Sequence, residues 1–318
     1  MFELQGHRGA RGLWPENTLA GFSRALELGV GALELDCGLT RDGVAVVTHD
    51  PQLNPDCTRD AQGRFLARPG PPVFELTASE LQSYDVGRLR PGSAYAERFP
   101  QQEPVDGERI PRLADVLTLV RTRGRGRVRV SVEVKTFPEQ PRLTASPAQF
   151  AAALRGDLES TATAALVVVM AFDWRVLRAM QRQMPQVATA ALTDQQPGDD
   201  TVCLDAPRPS SWLGGLDPRD FDGSVERLVK ASGAGTWGPD YRDLDARRVE
   251  RAHALGLRVV PWTVNEPSHM ERLLAFEVDG ITTDRPDLLR ALLERRGVAV
   301  PLPLPPSLPS PSGSPRDT

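Results

Sequence analysis

An eight-stranded α/β barrel is the architecture this sequence predicts, and three observations predict it. Strand-like runs alternate with helix-like runs, the strands beginning near residues 2, 31, 128, 165, 187, 235, 257 and 278. Residues able to do chemistry fall at the C-terminal ends of those runs, the face on which barrel enzymes assemble their sites. The 318 residues suffice for such a barrel, which takes about 250 before insertions. An open doubly wound sheet is the alternative, weakened because no G-x-G-x-x-G follows the first strand.

Composition narrows the function classes. With 40% hydrophobic and 25% charged residues the chain is globular. A net charge of −4 argues against a dedicated nucleic-acid or anionic-membrane binder. Cys37, Cys57 and Cys203 have neither disulfide-framework nor zinc spacing. No apolar run reaches membrane-spanning length and no signal peptide is visible. The expectation is a soluble cytoplasmic protein with no stable membrane insertion.

Taken in order, residues 2–6 read as a short strand ending in His7-Arg8-Gly9, and a helix runs to Leu28. Asn17 or Thr18 is its natural N-cap, with Asn17 taken as a cap rather than a ligand, and Gly29 is its stop. Residues 31–37 form the next strand, with Leu33, Leu35 and Cys37 on one face and Glu34 and Asp36 on the other. Two buried carboxylates about 4 Å apart repel by roughly 4 kcal/mol at an effective dielectric of about 20, so something positive belongs between them. Asp42-Gly43 signals a hairpin turn into a returning strand at 44–48. A two-residue turn sets His49 across from Asp36; a three-residue turn shifts every pair by one.

Residues 51–110, rich in Pro, Gly and charge with a helical piece at 78–84, read as a small inserted lobe after the second strand. Helices are then expected near 113–120, 147–158, 174–183, 224–232, 243–254, 267–275 and 285–295, with strands between them. Residues 193–223 are a second irregular excursion holding Trp212. The barrel spans 1–298, and 299–318 is a disordered Pro- and Ser-rich tail, seven of the last eighteen residues being proline.

Glu34, Asp36 and Glu133 offer three carboxylates, a hard-oxygen set suited to Mg²⁺ or Ca²⁺. The competing reading is an ion-pair cluster neutralised by Arg8 and Lys135, but three carboxylates exceed two cations. Of four histidines, His253 and His269 lie on amphipathic helices, while His7 and His49 sit at the barrel mouth on either side of the carboxylates. Two imidazoles are what a general acid and a general base require. With a hard cation, an arginine and a lysine, they point to phosphate-ester cleavage.

His7-Arg8-Gly9, Pro15-Glu16-Asn17-Thr18, Glu34-Leu35-Asp36, Thr40-Arg41-Asp42-Gly43, His49-Asp50, Glu108-Arg109-Ile110-Pro111, Glu133-Val134-Lys135, the run from Pro261 to Asn265 and the run from Asp279 to Asp284 together resemble the glycerophosphodiester phosphodiesterase family, from residue 6 to about 290. The resemblance implies a (β/α)₈ TIM barrel with a lobe inserted after the second strand. It implies that Glu34, Asp36 and Glu133 hold a divalent cation and that His7 and His49 are the acid–base pair. Arg8 and Lys135 would contact phosphate, and Trp262 would stand at the pocket wall. Ala171-Phe172-Asp173 lacks the serine the family often has there.

The implied reaction hydrolyses a small glycerophosphodiester to sn-glycerol 3-phosphate and an alcohol through a cyclic phosphate. His49 is favoured as first base, with Asp36 and Asp50 near it. The rivals are a lysophospholipase D or sphingomyelinase D-like enzyme, and a non-catalytic phosphodiester-binding barrel.

Overall fold

The computed structural model describes residues 2–306. Its strands are β1 (Glu3–Gly6), β2 (Ala32–Leu39), β3 (Ala45–Val47), β4 (Arg129–Val134), β5 (Val167–Ala171), β6 (Ala188–Thr193), β7 (Thr236–Pro239), β8 (Arg258–Val259) and β9 (Gly280–Thr283). The helices of the barrel are α1 (Leu19–Leu28), α4 (Leu113–Gly124), α5 (Pro147–Thr161), α6 (Trp174–Gln183), α7 (Val225–Ala231), α8 (Ala246–Ala254), α9 (Pro267–Ala275) and α10 (Pro286–Arg295). Two short helices, α2 (Ala78–Leu81) and α3 (Ala94–Glu97), lie between β3 and α4.

Eight strands pair in parallel in the order β8-β7-β6-β5-β4-β2-β1-β9, and β3 hangs antiparallel from β2. The path nearly closes into a barrel of the TIM type. Its two ends meet through three backbone bonds: Asp279 N to Val259 O (2.9 Å), Thr282 N to Pro261 O (3.0 Å) and Val264 N to Thr282 O (3.0 Å).

Every residue of β2 is buried, as expected of a strand with helices behind it and a filled lumen in front. Leu33, Leu35 and Cys37 join the core beneath the helices, and the alternate residues Glu34 and Asp36 therefore face inward. Phe22, Ala25 and Leu26 form the buried stripe of α1. Gly29 ends that helix at φ 89°, its N–H returning to Ala25 and Leu26.

Four expectations need correction. The hairpin turn has three residues, so Cys37 pairs with Val47 and the N–H of Thr48, not His49, reaches Asp36 O at 3.0 Å. Thr40 causes this: its hydroxyl binds Asp42 and accepts from the Val44 N–H, holding residues 41–43 as the loop. The cap of α1 is Thr18, whose Oγ1 accepts from Gly21 N at 3.0 Å. The helix expected over 78–84 stops at Leu81, and the one expected from 243 begins at Ala246 behind its Asp245 cap.

Residues 48–112 carry a small apolar cluster of their own, Leu53, Val73, Leu81 and Ile110 packed with Val46 of β3. Arg59 ties Asp85 and Asp106 together there. Within the predicted tail, residues 301–306 run along the N-terminal side of β2. Leu304 N donates to Leu26 O (3.3 Å) and Arg290 to Pro301 O (2.8 Å). The rest of that expectation, residues 307–318, lies outside the described residues.

Candidate active site

The C-terminal rim of β1, β2, β4 and β9 gathers the charged chemistry. Strand register places Asp36 beside Glu133, and alternation adds Glu34 one step below. One oxygen from each of these three buried carboxylates lies within 4.8 Å of the others. Two cations enter the cluster. Lys135 approaches Asp36 Oδ1 at 3.0 Å and also contacts Glu133, and Arg8 Nε stands 3.1 Å from Asp36 Oδ2. Burial alone would lower the Lys135 pKa, but Asp36 and Glu133 more than offset it and hold the ammonium charged.

Two cations do not satisfy three acids. Glu34 Oε1 is buried without a hydrogen-bond partner, and burial, then Asp36 and Glu133, push the Glu34 carboxyl well above its usual range. An orphaned buried oxygen beside two more carboxylates is the donor set of a hard divalent cation. The triad can hold one.

A strained turn delivers Arg8. Its φ is 51°, an uncommon conformation for a non-glycine residue, and it aims the Arg8 N–H at Glu34 Oε2 (2.8 Å). Gly6 makes the turn possible, because a Cβ there would stand 1.9 Å from Gly9 O. Asn17, also left-handed at φ 56°, donates from Nδ2 to Asp36 Oδ2 (2.9 Å) and accepts the Asp36 N–H (3.3 Å). It holds a candidate metal ligand rather than capping a helix.

Each rim histidine is tied through Nδ1. His7 Nδ1 lies 2.6 Å from Asp284 Oδ1, and His49 Nδ1 lies 2.7 Å from Asp50 Oδ1. A carboxylate only accepts, so each pair sets a proton on Nδ1 and leaves Nε2 as the nitrogen through which the ring can take up or give a proton. His7 Nε2 is 3.8 Å from Glu34 Oε2. Burial lowers the His7 pKa to about 4, with Asp284 opposing it.

Arg11 binds Asp284 through Nε (3.0 Å) and Nη2 (3.1 Å), and Asn265 donates to it at 2.8 Å. Burial works to raise the Asp284 carboxyl, but His7 and Arg11 hold it below the usual range. Asp50 is braced in turn by Asn54 at 2.7 Å.

The opposite half of the rim is apolar. Met170 and Leu192 line the lumen under Phe172 and Trp262, whose rings meet edge to face at 5.3 Å. Trp262 is pinned there by Nε1 donating to Gly238 O (2.8 Å). Beside His49 a cleft opens, lined in part by Asn17, Thr48, Asp50, Asn54 and Gln102.

The eight residues singled out in the sequence thus share one rim, His7, Arg8, Glu34, Asp36, Glu133 and Lys135 in mutual contact, His49 flanking them and Trp262 across the lumen. Sequence reasoning left Asp284, Arg11, Glu16 and Tyr95 without a role. Asp284 carried a usable signal, since it ends a strand on the same face. Arg11 and Tyr95 carried none.

Comparison with known proteins agrees with the barrel fold. Residues 7–288 match the model of the glycerophosphoryl diester phosphodiesterase family. A glycerophosphodiester phosphodiesterase of Caldanaerobacter subterraneus subsp. tengcongensis is 28% identical over 299 residues, covering 92% of this chain and 97% of its own. One from Bacillus subtilis is 27% identical, covering 89% and 83%. The crystal structure of a putative glycerophosphoryl diester phosphodiesterase from Silicibacter pomeroyi superposes with a TM-score of 0.82 at 36% identity, over 93% of this chain and 94% of that one. An Oleispira antarctica phosphodiesterase, solved with sn-glycerol-3-phosphate, shares the fold at a TM-score of 0.66 and 21% identity, over 91% and 96%. With the family model spanning nearly the whole barrel, the chain belongs to the glycerophosphoryl diester phosphodiesterase family and is an enzyme of that class.

Proposed function

We propose that the protein hydrolyses small glycerophosphodiesters to sn-glycerol 3-phosphate and an alcohol such as choline, ethanolamine or glycerol. One observation carries the reading: two imidazoles, each anchored to a carboxylate through Nδ1, flank a buried carboxylate triad that has an unsatisfied oxygen. A divalent cation, Mg²⁺ or Ca²⁺, held by Glu34, Asp36 and Glu133, would supply charge stabilisation at the phosphoryl oxygens.

The two histidines are not equivalent. His7 enters unprotonated near neutrality, because burial lowers its pKa, and that suits it to accept the proton of the substrate 2-hydroxyl as its oxygen attacks phosphorus. His49, braced through Nδ1 by Asp50 at the more open side, acts in its doubly protonated form and gives its Nε2 proton to the departing alcohol oxygen as the P–O bond breaks. In the second half His49 Nε2 takes a proton from water, the water oxygen bonds to phosphorus, the bond from phosphorus to the 2-oxygen breaks, and His7 returns its proton to that oxygen. This order reverses the expectation of His49 as first base. Arg8 and Lys135 border the triad and face the phosphate in this reading, and residues 51–110 act as a lobe walling the His49 side.

The test is turnover of a panel of glycerophosphodiesters by chelated enzyme, with Mg²⁺ or Ca²⁺ added back. Absence of metal-stimulated product would favour a binding module instead. A second reading, lysophospholipase D or sphingomyelinase D-like chemistry, gains from the apolar half of the rim formed by Met170, Leu192, Phe172 and Trp262. Side-by-side rates on glycerophosphocholine and lysophosphatidylcholine separate the two.

A further inference from the structure

We infer that Tyr95 is a positioning residue for this reaction: its hydroxyl closes a half-buried hydrogen-bond circuit that fixes His7 and Arg8 relative to one another. The inference rests on the roles proposed above for those two residues. Tyr95 lies on α3, more than eighty positions along the chain from either of them. Ser93 caps that short helix, its Oγ accepting the Ala96 N–H at 3.1 Å.

The circuit is continuous. The Tyr95 hydroxyl accepts from Arg11 Nη1 (3.2 Å) and donates to Glu16 Oε2. In one direction Arg11 grips Asp284, and Asp284 holds His7 Nδ1. In the other, Glu16 accepts from Arg8 Nη1 (2.8 Å), and Arg8 lies against Asp36. A phenol can accept from a guanidinium and donate to a carboxylate at once, which neither Phe nor another acid can do. Without it, Arg11 and Glu16 each lose a half-buried partner, and the two arms reorganise separately.

The ring is held independently of the hydroxyl. It meets Phe99 edge-on with centroids 5.3 Å apart, and the Arg98 guanidinium lies 5.7 Å over it. Arg11 is itself sandwiched, 4.7 Å above Phe99. Removing only the oxygen therefore tests the circuit while keeping the packing. Burial, then Glu16, push the phenol well above its ordinary range, so it stays a donor at any working pH. A residue that merely anchored its segment would change stability and leave kinetics alone.

The experiment compares Tyr95→Phe, Glu16→Gln and the double variant with wild type, each shown folded by circular dichroism. Tyr95→Phe is expected to lower kcat/KM about 10- to 100-fold, as loss of outer-shell partners does, with most of the loss in kcat. It should also shift the downfield His7 imidazole proton in the NMR spectrum. Because both substitutions break the same link, the double variant should be no slower than the slower single. A Tyr95→Phe enzyme within twofold of wild type, or losses that multiply, overturns the inference. Should Tyr95→Phe fail to fold, Glu16→Gln carries the test with the same twofold threshold. If wild type cleaves no diester, the proposed function fails, and the His7 imidazole signal alone decides the inference: unmoved in Tyr95→Phe, it overturns it.

Discussion

At the scale of single residues, Glu34 sets the terms for the site. Burial and the neighbouring acids push its pKa up, so without a cation it retains its proton well above the ordinary carboxylate range. An entering cation must displace that proton. Apparent cation affinity should therefore rise with pH through the raised pKa and level off above it. Calorimetry in two buffers of different ionisation heat should register proton release; none would mean Glu34 is already ionised.

The histidines make a second residue-scale prediction. His7→Ala and His49→Ala should each lose about 10²–10⁴ in kcat with the fold retained, and a near-normal rate in either removes that imidazole from the mechanism. Asp284→Ala should behave differently. It strands Arg11 and His7 together, which should cost about 3–5 kcal/mol in urea unfolding. Glu34, Asp36 and Glu133 were legible from strand alternation alone. The Asp284 partnership was not, because no local pattern tells a histidine which distant strand will supply its carboxylate.

At the scale of elements, the loop before α1 separates two neighbours that look interchangeable. Thr18 caps the helix, its hydroxyl bonding Gly21 N and Pro15 O, whereas Asn17 braces Asp36. Thr18→Ala should cost about 1 kcal/mol of stability and leave turnover intact. Asn17→Ala should weaken cation binding about 10- to 100-fold, read by calorimetry. Equal effects of the two would contradict the assignment. Both residue types make good caps, so composition could not decide between them; the left-handed turn at Asn17 did. The β2–β3 hairpin repeats the lesson. Asp42-Gly43 correctly announced a turn, but its length depended on where the Thr40 hydroxyl bonded, and one residue moved Thr48 into the place expected for His49.

At the scale of the molecule, helix–strand alternation made the barrel readable, and the boundaries of α6 and α9 coincide with those expected. The contacts of residues 301–306 were not readable, since a proline-rich stretch has no periodicity to announce a docking face. These residues bond at the N-terminal side of the barrel, away from the reactive rim. Deleting 299–318, which removes bonds from Leu304 to Leu26, Arg290 to Pro301 and Arg123 to Pro305, should lower stability by about 2–4 kcal/mol, the worth of three such hydrogen bonds, and leave kcat/KM unchanged.

The joint between β8 and β9 has a further consequence. Three backbone bonds close the barrel there, and at the rim Asn265 laces across it, accepting the Asp284 N–H at 2.9 Å and donating to the Asp284 carboxylate at 2.8 Å. Thermal breathing at this joint would tilt Asp284 and swing His7 out of line while the rest of the cylinder still stands. Heat should thus silence the enzyme some degrees before it melts it, and Asn265→Ala should widen that gap.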